Sequence, residues 1–193
     1  MPTFSHDWFP AAAFEDHLRA LKGREGMRFL EIGAFEGRGT LYLLEKFLGK
    51  TGTIACIDPF IDYSKATVAK IHGYDKVINE SSLNRFLENT AAFKDRISLH
   101  QGLSKDVLPG LPASSFDVAF VDGDHSRDAV AVDARECFRL VKKGGYIVFD
   151  DYQWGVAGRP ETSPKEAIDR FLNLNERHLR LLFRGWCVVV QKL

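Results

Sequence analysis

Short apolar runs alternate along the chain with longer segments in which apolar residues recur at helical spacing. The runs are rich in β-branched and aromatic residues, and each is bounded by Gly, Pro or Asp. This alternation is typical of an α/β fold built on a mostly parallel sheet. We predict strands at 27–32, 53–58, 96–101, 116–122 and 145–150, and helices near 38–48, 80–93 and 125–141.

Two of these runs, FDVAFVD and YIVFD, stay almost wholly apolar up to a terminal acid. Strands that are apolar on both faces are typical of parallel sheets covered by helices on each side. Near the C-terminus, two further β-rich runs are broken at Arg184 and Gly185, which predicts an antiparallel hairpin. We therefore expect helices on both faces of a parallel sheet and a hairpin added at one side.

Length and composition predict a single domain over residues 1–193. No Pro/Ser-rich or low-complexity linker divides the chain. We assign 1–25 to an N-terminal helical segment and 26–193 to the α/β core. We expect the N-terminal segment to pack on the sheet, with the alternative that it reaches over the site. Three of its apolar residues recur at helical spacing: Phe14, Leu18 and Leu21.

The charge pattern disfavours nucleic acid and membrane partners. Acidic and basic residues balance at 26 each, so no global field favours polyanions. The N-terminus, MPTFSHDWFP, lacks the cationic start and apolar core of a secretion signal, and no apolar run approaches the roughly 20 residues that cross a bilayer. We expect a cytoplasmic protein that binds a small molecule, with a homodimer left open. The cysteines, Cys56, Cys137 and Cys187, are predicted to be core residues.

The segment FLEIGAFEGRGT joins an apolar strand to a helix through a glycine-rich turn. Gly33, Gly37 and Gly39 tolerate positive φ and let a ligand approach the backbone. A dinucleotide fingerprint would need glycines where Phe35 and Arg38 stand, and the GKS or GKT of a P-loop is absent. The remaining pattern, EIGxxxGxGT, resembles the first motif of class I methyltransferases that use S-adenosylmethionine. A purely structural strand-to-helix turn is the alternative.

The resemblance implies that cofactor-binding residues follow the strands. Asp58, which ends TIACIDPF, would accept hydrogen bonds from ribose hydroxyls rather than only form a turn. Glu31 would hold the methionine ammonium or else pin the loop. The segment GLSKDVLPGLP resembles the adenine-lining turn of catechol and caffeoyl-CoA O-methyltransferases, although Ser104 could instead cap a helix. The implied cofactor-binding set is Glu31, Gly33, Ala34, Gly37, Gly39, Thr40, Asp58, Gly102, Leu103, Ser104 and Asp122.

Three carboxylates are predicted to meet at the same edge of the sheet, because Asp122 ends the fourth strand and Asp150 and Asp151 end the fifth. Convergent oxygen ligands suit a hard cation such as Mg²⁺, and without a cation the acids would repel one another. The catechol-type enzymes bind a metal through an acid and an Asp-Asn pair at these positions. We predict Asp122, Asp150 and Asp151 as metal ligands. In the metal-free alternative, Asp122 faces the cofactor, and Asp150 or Asp151 acts as a base or as a structural hydrogen-bond acceptor.

His125 follows Asp122 by three residues in VDGDHS, at the turn into a predicted helix. The catechol-type enzymes place a lysine at the matching position as general base, and a histidine can accept a hydroxyl proton near neutral pH. We predict His125 as the catalytic base and Asp122 as the second catalytic residue. A cap or surface role for His125 is the alternative.

The motifs FVDGDHS, VFDDYxWG and PxxAIDxFL together resemble the bacterial methyltransferases related to macrocin O-methyltransferase, from about Phe29 to the C-terminus. This resemblance implies a Rossmann-like sheet of seven strands and a metal-assisted O-methyltransferase that acts on a sugar, phenol or secondary metabolite. A noncatalytic nucleotide-binding module and a metal-free methyltransferase are the alternatives. The predicted substrate wall comprises Tyr63, Tyr74, Tyr152, Trp154 and Arg159.

Overall fold

The computed structural model describes residues 1–60, 82–155 and 157–193, and its centre is a seven-stranded sheet. The strands are β1 (Arg28–Ile32), β2 (Thr53–Asp58), β3 (Ile97–Gln101), β4 (Phe116–Val121), β5 (Val141–Phe149), β6 (Leu179–Arg184) and β7 (Val188–Lys192). Their order across the sheet is β3-β2-β1-β4-β5-β7-β6. Strands β1 to β5 pair in parallel, and the β6–β7 hairpin adds antiparallel to β5. The predicted α/β, Rossmann-like architecture is confirmed.

Helices connect and cover the strands. Within the described residues they are α1 (Ala11–His17), α2 (Arg38–Tyr42), α3 (Ser82–Thr90), α4 (Ser104–Val107), α5 (Arg127–Leu140) and α6 (Lys165–Leu174). Short 3₁₀ turns cover Arg19–Leu21, Ala91–Arg96, Leu108–Gly110, Pro160–Thr162 and Glu176–His178. The helix predicted over 38–48 is not uniform, because a π turn over Leu43–Phe47 follows α2. The wider turn is closed by the Leu48 N–H, which donates to the Leu43 carbonyl at 2.8 Å.

Strand β5 begins earlier than the predicted boundary of 145. Val141 already pairs with Phe116 of β4, and the register then shifts before Tyr146 pairs with Val118. Gly144 lies in this irregular stretch with φ +79°, a conformation that glycine adopts without steric cost. The strand therefore runs through Gly144 and Gly145, at the second of which it was predicted to begin.

Side chains that alternate along the strands form two cores, one on each face of the sheet. On one face, Leu30 and Ile32 of β1 belong to the core that includes the buried sides of α5 and α6. On the other face, Phe29 belongs to the core that includes α1, the π turn and Phe86 of α3. This arrangement confirms the prediction of helices on both faces. The three cysteines are buried and free, as predicted.

The N-terminal segment packs on the second face. Phe14, Leu18 and Leu21 are buried, and the Phe14 ring meets the Phe120 ring of β4 at a centroid distance of 5.4 Å. The prediction of core packing is confirmed for this helix. None of the helices in the described part of the chain combines the length and apolar character that crossing a bilayer requires.

Candidate functional site

The candidate site lies where the strand order reverses. Strand β1 has β2 on one side and β4 on the other, so the connections that leave the strands diverge at their carboxyl ends and open a crevice. A pocket of about 540 Å³ occupies this crevice. Its walls come from the loops after β1, β2, β3, β4 and β5, from the N-terminal segment and from the β6–β7 turn.

The glycine-rich turn after β1 forms the floor of the pocket. Gly33 has φ +88°, and a Cβ atom there would lie 1.9 Å from the carbonyl oxygen of Asp122. Gly39 also lines the pocket, and a Cβ atom on it would lie 2.4 Å from Oε1 of Glu31. These two glycines let the loops after β1 and β4, and the start of α2, approach one another closely. Ala34 lines the same wall.

Gly37 and Thr40 are placed behind this wall rather than in it, which corrects their prediction as direct cofactor contacts. Gly37 adopts φ +80° and faces α3, where a Cβ atom would lie 2.8 Å from Cγ2 of Thr90. Thr40 is fully buried, and its hydroxyl donates to Oε2 of Glu31. Both residues support the turn. Gly37 lets α3 pack against the back of the turn, and Thr40 supplies a hydrogen-bond donor to the buried Glu31 carboxylate.

Glu31 lines the pocket from a position that is almost completely buried. Its Oε2 accepts hydrogen bonds from Thr40 and, at 3.5 Å, from Sγ of Cys56. Burial raises the pKa of Glu31 to about 7, against the smaller lowering effect of these donors. One oxygen thus pins α2 to β1, while Oε1 lies beside Gly39 at the pocket surface.

Asp58 ends β2 with both carboxylate oxygens fixed by backbone donors. Oδ2 accepts the Phe35 N–H at 2.9 Å, and Oδ1 accepts the Phe60 N–H at 2.7 Å. Burial raises the pKa of Asp58, although these backbone donors act against the shift. Each oxygen of an ionised carboxylate can accept a second hydrogen bond. The residue is therefore a preoriented acceptor in the pocket wall.

Gly102, Leu103 and Ser104 line the pocket next to Asp58, as predicted for a ligand-binding turn. The Gly102 N–H donates to the Asp58 carbonyl at 3.0 Å, which joins the ends of β2 and β3. Leu103 occupies the cap position of α4 and Ser104 is the first helical residue. The alternative of Ser104 as the helix cap is therefore wrong.

On the other side of the pocket, the structure brings together Asp122, His125 and Asp151. One ligand atom from each of these residues lies within 4.8 Å of the others. The ring nitrogen Nε2 of His125 lies 3.1 Å from Oδ2 of Asp151. Asp150 also lines the pocket, but it is not part of this cluster, and its Oδ1 accepts the Asp151 N–H at 2.8 Å and the Cys187 thiol at 2.9 Å. The predicted ligand set therefore changes, with His125 in the place of Asp150.

This acidic end of the pocket is electrostatically strained. Burial raises the pKa of Asp122 well above its usual range, and the charges of Asp150 and Asp151 raise it further. Burial also raises the pKa of Asp150 to about 6. Two carboxylates and an imidazole fit Mn²⁺, Fe²⁺ or Zn²⁺ as well as Mg²⁺, because imidazole is a ligand that the softer ions accept readily. A bound cation would relieve the repulsion.

The loop after β5 contributes part of the predicted substrate wall. Trp154 lines the pocket, with its ring centroid 5.2 Å from that of His125. Tyr152 does not, because it is buried and its hydroxyl donates to Asp169 at 2.8 Å. Arg159 is exposed and is not a pocket residue. These two positions are corrections to the sequence prediction. The remaining members of the predicted wall, Tyr63 and Tyr74, lie outside the described residues.

Two further groups of pocket residues escaped the sequence prediction. Trp186, in the β6–β7 turn, lines the pocket and donates its Nε1–H to Oδ1 of Asp151 at 2.7 Å. The N-terminal strap, residues 3–9, contributes His6, Trp8 and Phe9 to the pocket. No periodicity marks either group, so only the density of aromatic residues near the N-terminus could have drawn attention to the strap.

The strap is fastened to the glycine-rich turn by Glu36. This buried carboxylate accepts the Ser5 N–H at 2.6 Å, the Ser5 hydroxyl at 2.9 Å and a hydrogen bond from Arg85. The Thr3 N–H donates to Asn89 of α3 at 2.9 Å. The helix α1 thus packs on the sheet as predicted, while the strap that precedes it, which the sequence did not indicate, borders the site.

Comparison with known proteins identifies the family. Residues 30–152, which run from within β1 to the loop after β5 and include most of the pocket loops, match the methyltransferase domain family. The chain belongs to this methyltransferase family. It is also 34% identical over 137 residues to uncharacterized protein R132 of Acanthamoeba polyphaga mimivirus, a match that covers 67% of this chain and 53% of R132. The chain thus spans about half the length of the curated relative that it matches.

Solved structures share the fold of this methyltransferase family member. The O-methyltransferase TomG of Streptomyces achromogenes, solved in complex with SAM, superposes with a TM-score of 0.68 at 17% identity, over 96% of this chain and 81% of TomG. An O-methyltransferase of Bacillus cereus in complex with SAH gives a TM-score of 0.60 at 19% identity, over 97% and 84% of the two chains. At these identities, the likeness establishes the common fold.

Proposed function

We propose that this protein transfers the methyl group of S-adenosylmethionine to a hydroxyl group of a small molecule. The observation that carries the proposal is the division of one pocket into two chemically different ends. Backbone turns and the pinned Asp58 line one end, while Asp122, His125 and Asp151 meet at the other. Family membership and the SAM- and SAH-bound neighbours of the same fold support this interpretation.

The residues at the first end fit an adenosyl cofactor. Asp58 would accept the ribose hydroxyls, since each of its oxygens retains an acceptor site after bonding the backbone. Gly33 and Gly39 would leave room for the methionine part beside Glu31, and the turn at 102–104 would line the base. When bound, S-adenosylmethionine supplies a methyl group attached to a positively charged sulfur. The sulfur is the leaving group and becomes a neutral thioether when the methyl group is transferred.

The residues at the second end fit a divalent cation. Asp122, Asp151 and His125 would hold it, because their ligand atoms already lie close together. A cation there would supply positive charge that lowers the pKa of an acceptor hydroxyl. The protein's own part is to fix the ligands, with Trp186 donating to Asp151 and Asp150 accepting the Asp151 N–H.

A second arrangement uses the same residues without a cation, and the short His125–Asp151 contact favours it. Nε2 of His125 lies 3.1 Å from Oδ2 of Asp151, so the carboxylate would stabilise a charged imidazole. In that arrangement, His125 would accept the proton of the acceptor hydroxyl as the hydroxyl oxygen bonds to the methyl carbon. The two arrangements differ in whether His125 holds a metal or a proton.

The acceptor end of the pocket carries indole rings that suit flat or ring-shaped molecules. Trp186 is about half exposed, at 53%, and donates to Asp151, and Trp154 lies beside His125. Trp8 lines the same pocket but stacks on Phe35 of the glycine-rich turn, with a centroid distance of 5.9 Å. Aromatic walls with a few placed polar groups are typical of small-molecule sites. We propose a sugar, phenol or secondary metabolite with a free hydroxyl as acceptor.

A methylation screen of small hydroxyl compounds tests this function. The wild type is incubated with radiolabelled S-adenosylmethionine and Mg²⁺ or Mn²⁺, and again with a chelator. Asp122→Asn tests the acidic end, with Asp95→Asn at an exposed site as its control. We expect transfer that chelation and Asp122→Asn abolish and Asp95→Asn preserves. Transfer that survives chelation would support the metal-free arrangement, whereas cofactor binding without transfer to any hydroxyl would contradict the proposed activity.

A further inference from the structure

The N-terminal strap is fastened to the glycine-rich turn at more points than Glu36. Asp7 accepts hydrogen bonds from the guanidinium group of Arg38 at 2.8 and 3.2 Å. The Trp8 ring stacks on the Phe35 ring, with a centroid distance of 5.9 Å and an interplanar angle of 17°. Together with the Glu36 contacts, these interactions hold the strap to the turn in three places.

Phe35 has an unfavourable backbone conformation. Its φ is +45°, in the left-handed region that a side chain as bulky as phenylalanine rarely adopts. Such a conformation persists only where the surrounding structure fixes it. The stack on Trp8 acts on the ring, and the hydrogen bond from the Phe35 N–H to Oδ2 of Asp58 acts on the backbone. Phe35 therefore links the strap to the acid at the end of β2.

A relaxed Phe35 would withdraw a donor from Asp58. Gly37 and α2 follow Phe35 and are packed against α3. A change of φ at Phe35 would therefore move the peptide before it rather than the chain after it. That peptide carries the N–H that Oδ2 of Asp58 accepts at 2.9 Å. The carboxylate would then lose one of the backbone donors that fix its orientation.

Trp8 belongs to the pocket rather than to the core. It is 52% exposed, lines the pocket and also stacks on His6, another strap residue, at a centroid distance of 4.2 Å. The strap lies outside residues 30–152, which match the methyltransferase domain family. Its contacts with the turn are thus an addition of this chain to the matched domain.

We propose that Trp8 is a positioning residue for the cofactor: by stacking on Phe35, it holds the glycine-rich turn in the conformation that presents Asp58 to the ribose. This inference rests on the proposed adenosyl cofactor. Because Trp8 acts through Phe35, it needs no contact with the ligand. The coupling is reciprocal, so a ligand that favours the ordered turn must favour the closed strap by the same factor.

Calorimetric titration with S-adenosylhomocysteine tests the proposal in a double-mutant cycle. Trp8→Ala should raise the dissociation constant about threefold to tenfold, as the loss of a stacked aromatic pair implies, whereas Trp8→Phe keeps a ring and should retain most of the affinity. In an Asp58→Ala background, Trp8→Ala should change the dissociation constant less than about twofold, because the acid that Trp8 positions is absent. The matched control is Leu174→Ala, which removes an apolar side chain that is 73% exposed outside the pocket.

Hydrogen exchange gives a second readout, which a merely structural role would not change. The Thr3 N–H donates to Asn89 and the Ser5 N–H donates to Glu36, so both amides exchange when the strap opens. Saturating S-adenosylhomocysteine should slow their exchange about threefold to tenfold in the wild type, the factor expected for the affinity. Trp8→Ala should abolish this slowing.

Several outcomes would overturn the inference and leave the proposed function standing. They are equal dissociation constants for Trp8→Ala and the wild type, strap exchange that the ligand does not slow, and an equal loss of affinity in both backgrounds, which would mean that Trp8 contacts the ligand directly. A lower unfolding temperature of Trp8→Ala than of Leu174→Ala would indicate a structural role instead. If the wild type did not bind S-adenosylhomocysteine, the proposed cofactor itself would be wrong and this inference with it.

Discussion

Gly33 is the residue on which the shape of the pocket depends most directly. It adopts φ +88°, and a Cβ atom there would lie 1.9 Å from the Asp122 carbonyl oxygen and 2.5 Å from its carbon. The Asp122 atoms that a Cβ atom would meet belong to the backbone, which cannot rotate away as a side chain could. The Asp122 backbone is also held in place, since its N–H donates to the Ile32 carbonyl at 2.9 Å.

We therefore predict that Gly33→Ala lowers the unfolding temperature by about 4 °C or more, as a cost of at least about 2 kcal/mol implies for a chain of this size. Thermal unfolding followed by circular dichroism measures this shift. The control is Gly110→Ala, where a Cβ atom would meet nothing within 4 Å. Equal shifts in the two variants would show that the close approach to Asp122 is not required.

Glu31 gives a prediction with a defined pH sign. Burial raises its pKa from 4.5 to about 7, so between these values the folded protein keeps a proton that the unfolded chain releases. The free energy of unfolding therefore falls as the pH rises through this window. Glu31→Gln removes the titration, so its stability relative to the wild type should increase from about pH 5 to about pH 8. Urea unfolding at both pH values measures the difference in the free energy of unfolding between Glu31→Gln and the wild type. A difference that does not change with pH would contradict the raised pKa of Glu31.

The sequence predicted which acids reach the pocket but not how each is turned. Strand ends and their acids follow from apolar runs, and Asp58 and Asp122 lie where those runs place them. The orientation of Asp150 depends on Asp151, which adopts φ +53°, and on the Cys187 thiol. The left-handed conformation of a single residue, Asp151, cannot be read from hydrophobic periodicity. The burial of Tyr152, which follows Asp151, was missed for the same reason.

At the scale of elements, the turn between β6 and β7 braces the acid pair. Trp186 donates to Asp151 at 2.7 Å, Cys187 donates to Asp150 at 2.9 Å, and the Tyr152 N–H donates to the Trp186 carbonyl at 2.8 Å. The hairpin itself was predicted from two β-rich runs and a break. Its contact with the acids was not, because it joins residues that are 35 positions apart.

This brace predicts that Trp186→Phe weakens divalent-cation binding. The variant keeps an aromatic ring but removes the donor that holds Oδ1 of Asp151, and loss of such outer-shell donors typically costs about tenfold or more in metal affinity. Titration with Mn²⁺ followed by calorimetry measures it. Trp8→Phe, at a similarly exposed tryptophan of the same pocket, is the matched control. Equal Mn²⁺ affinities in the two variants would exclude a bracing role for Trp186.

The N-terminal strap is a second feature that hydrophobic periodicity could not predict. The helical spacing of Phe14, Leu18 and Leu21 predicted α1, because burial on one face imposes a period. The strap has no such period, since it is held by individual hydrogen bonds from Thr3 and Ser5 to distant side chains. Contacts of that kind depend on the assembled fold.

At the scale of the whole molecule, one topological feature collects the chemistry. The reversal of strand order at β1 opens a crevice at the carboxyl ends of the parallel strands, and the predicted strand-end acids all face that edge. The family match covers residues 30–152 and ends before the hairpin. Part of the pocket wall, including Trp186 at the acceptor end and the strap beside the glycine-rich turn, therefore lies outside the matched region. This explains why the pattern of the chain indicates the donor more sharply than the acceptor.

The proposed binding of an adenosyl cofactor through Asp58 is tested most directly by calorimetric titration with S-adenosylhomocysteine. We predict saturable binding by the wild type, a loss of about tenfold or more in Asp58→Asn, since a charged acceptor is replaced, and no change in Asp95→Asn at an exposed site. Absence of binding by the wild type at about millimolar ligand, or equal affinity in Asp58→Asn, would contradict the account.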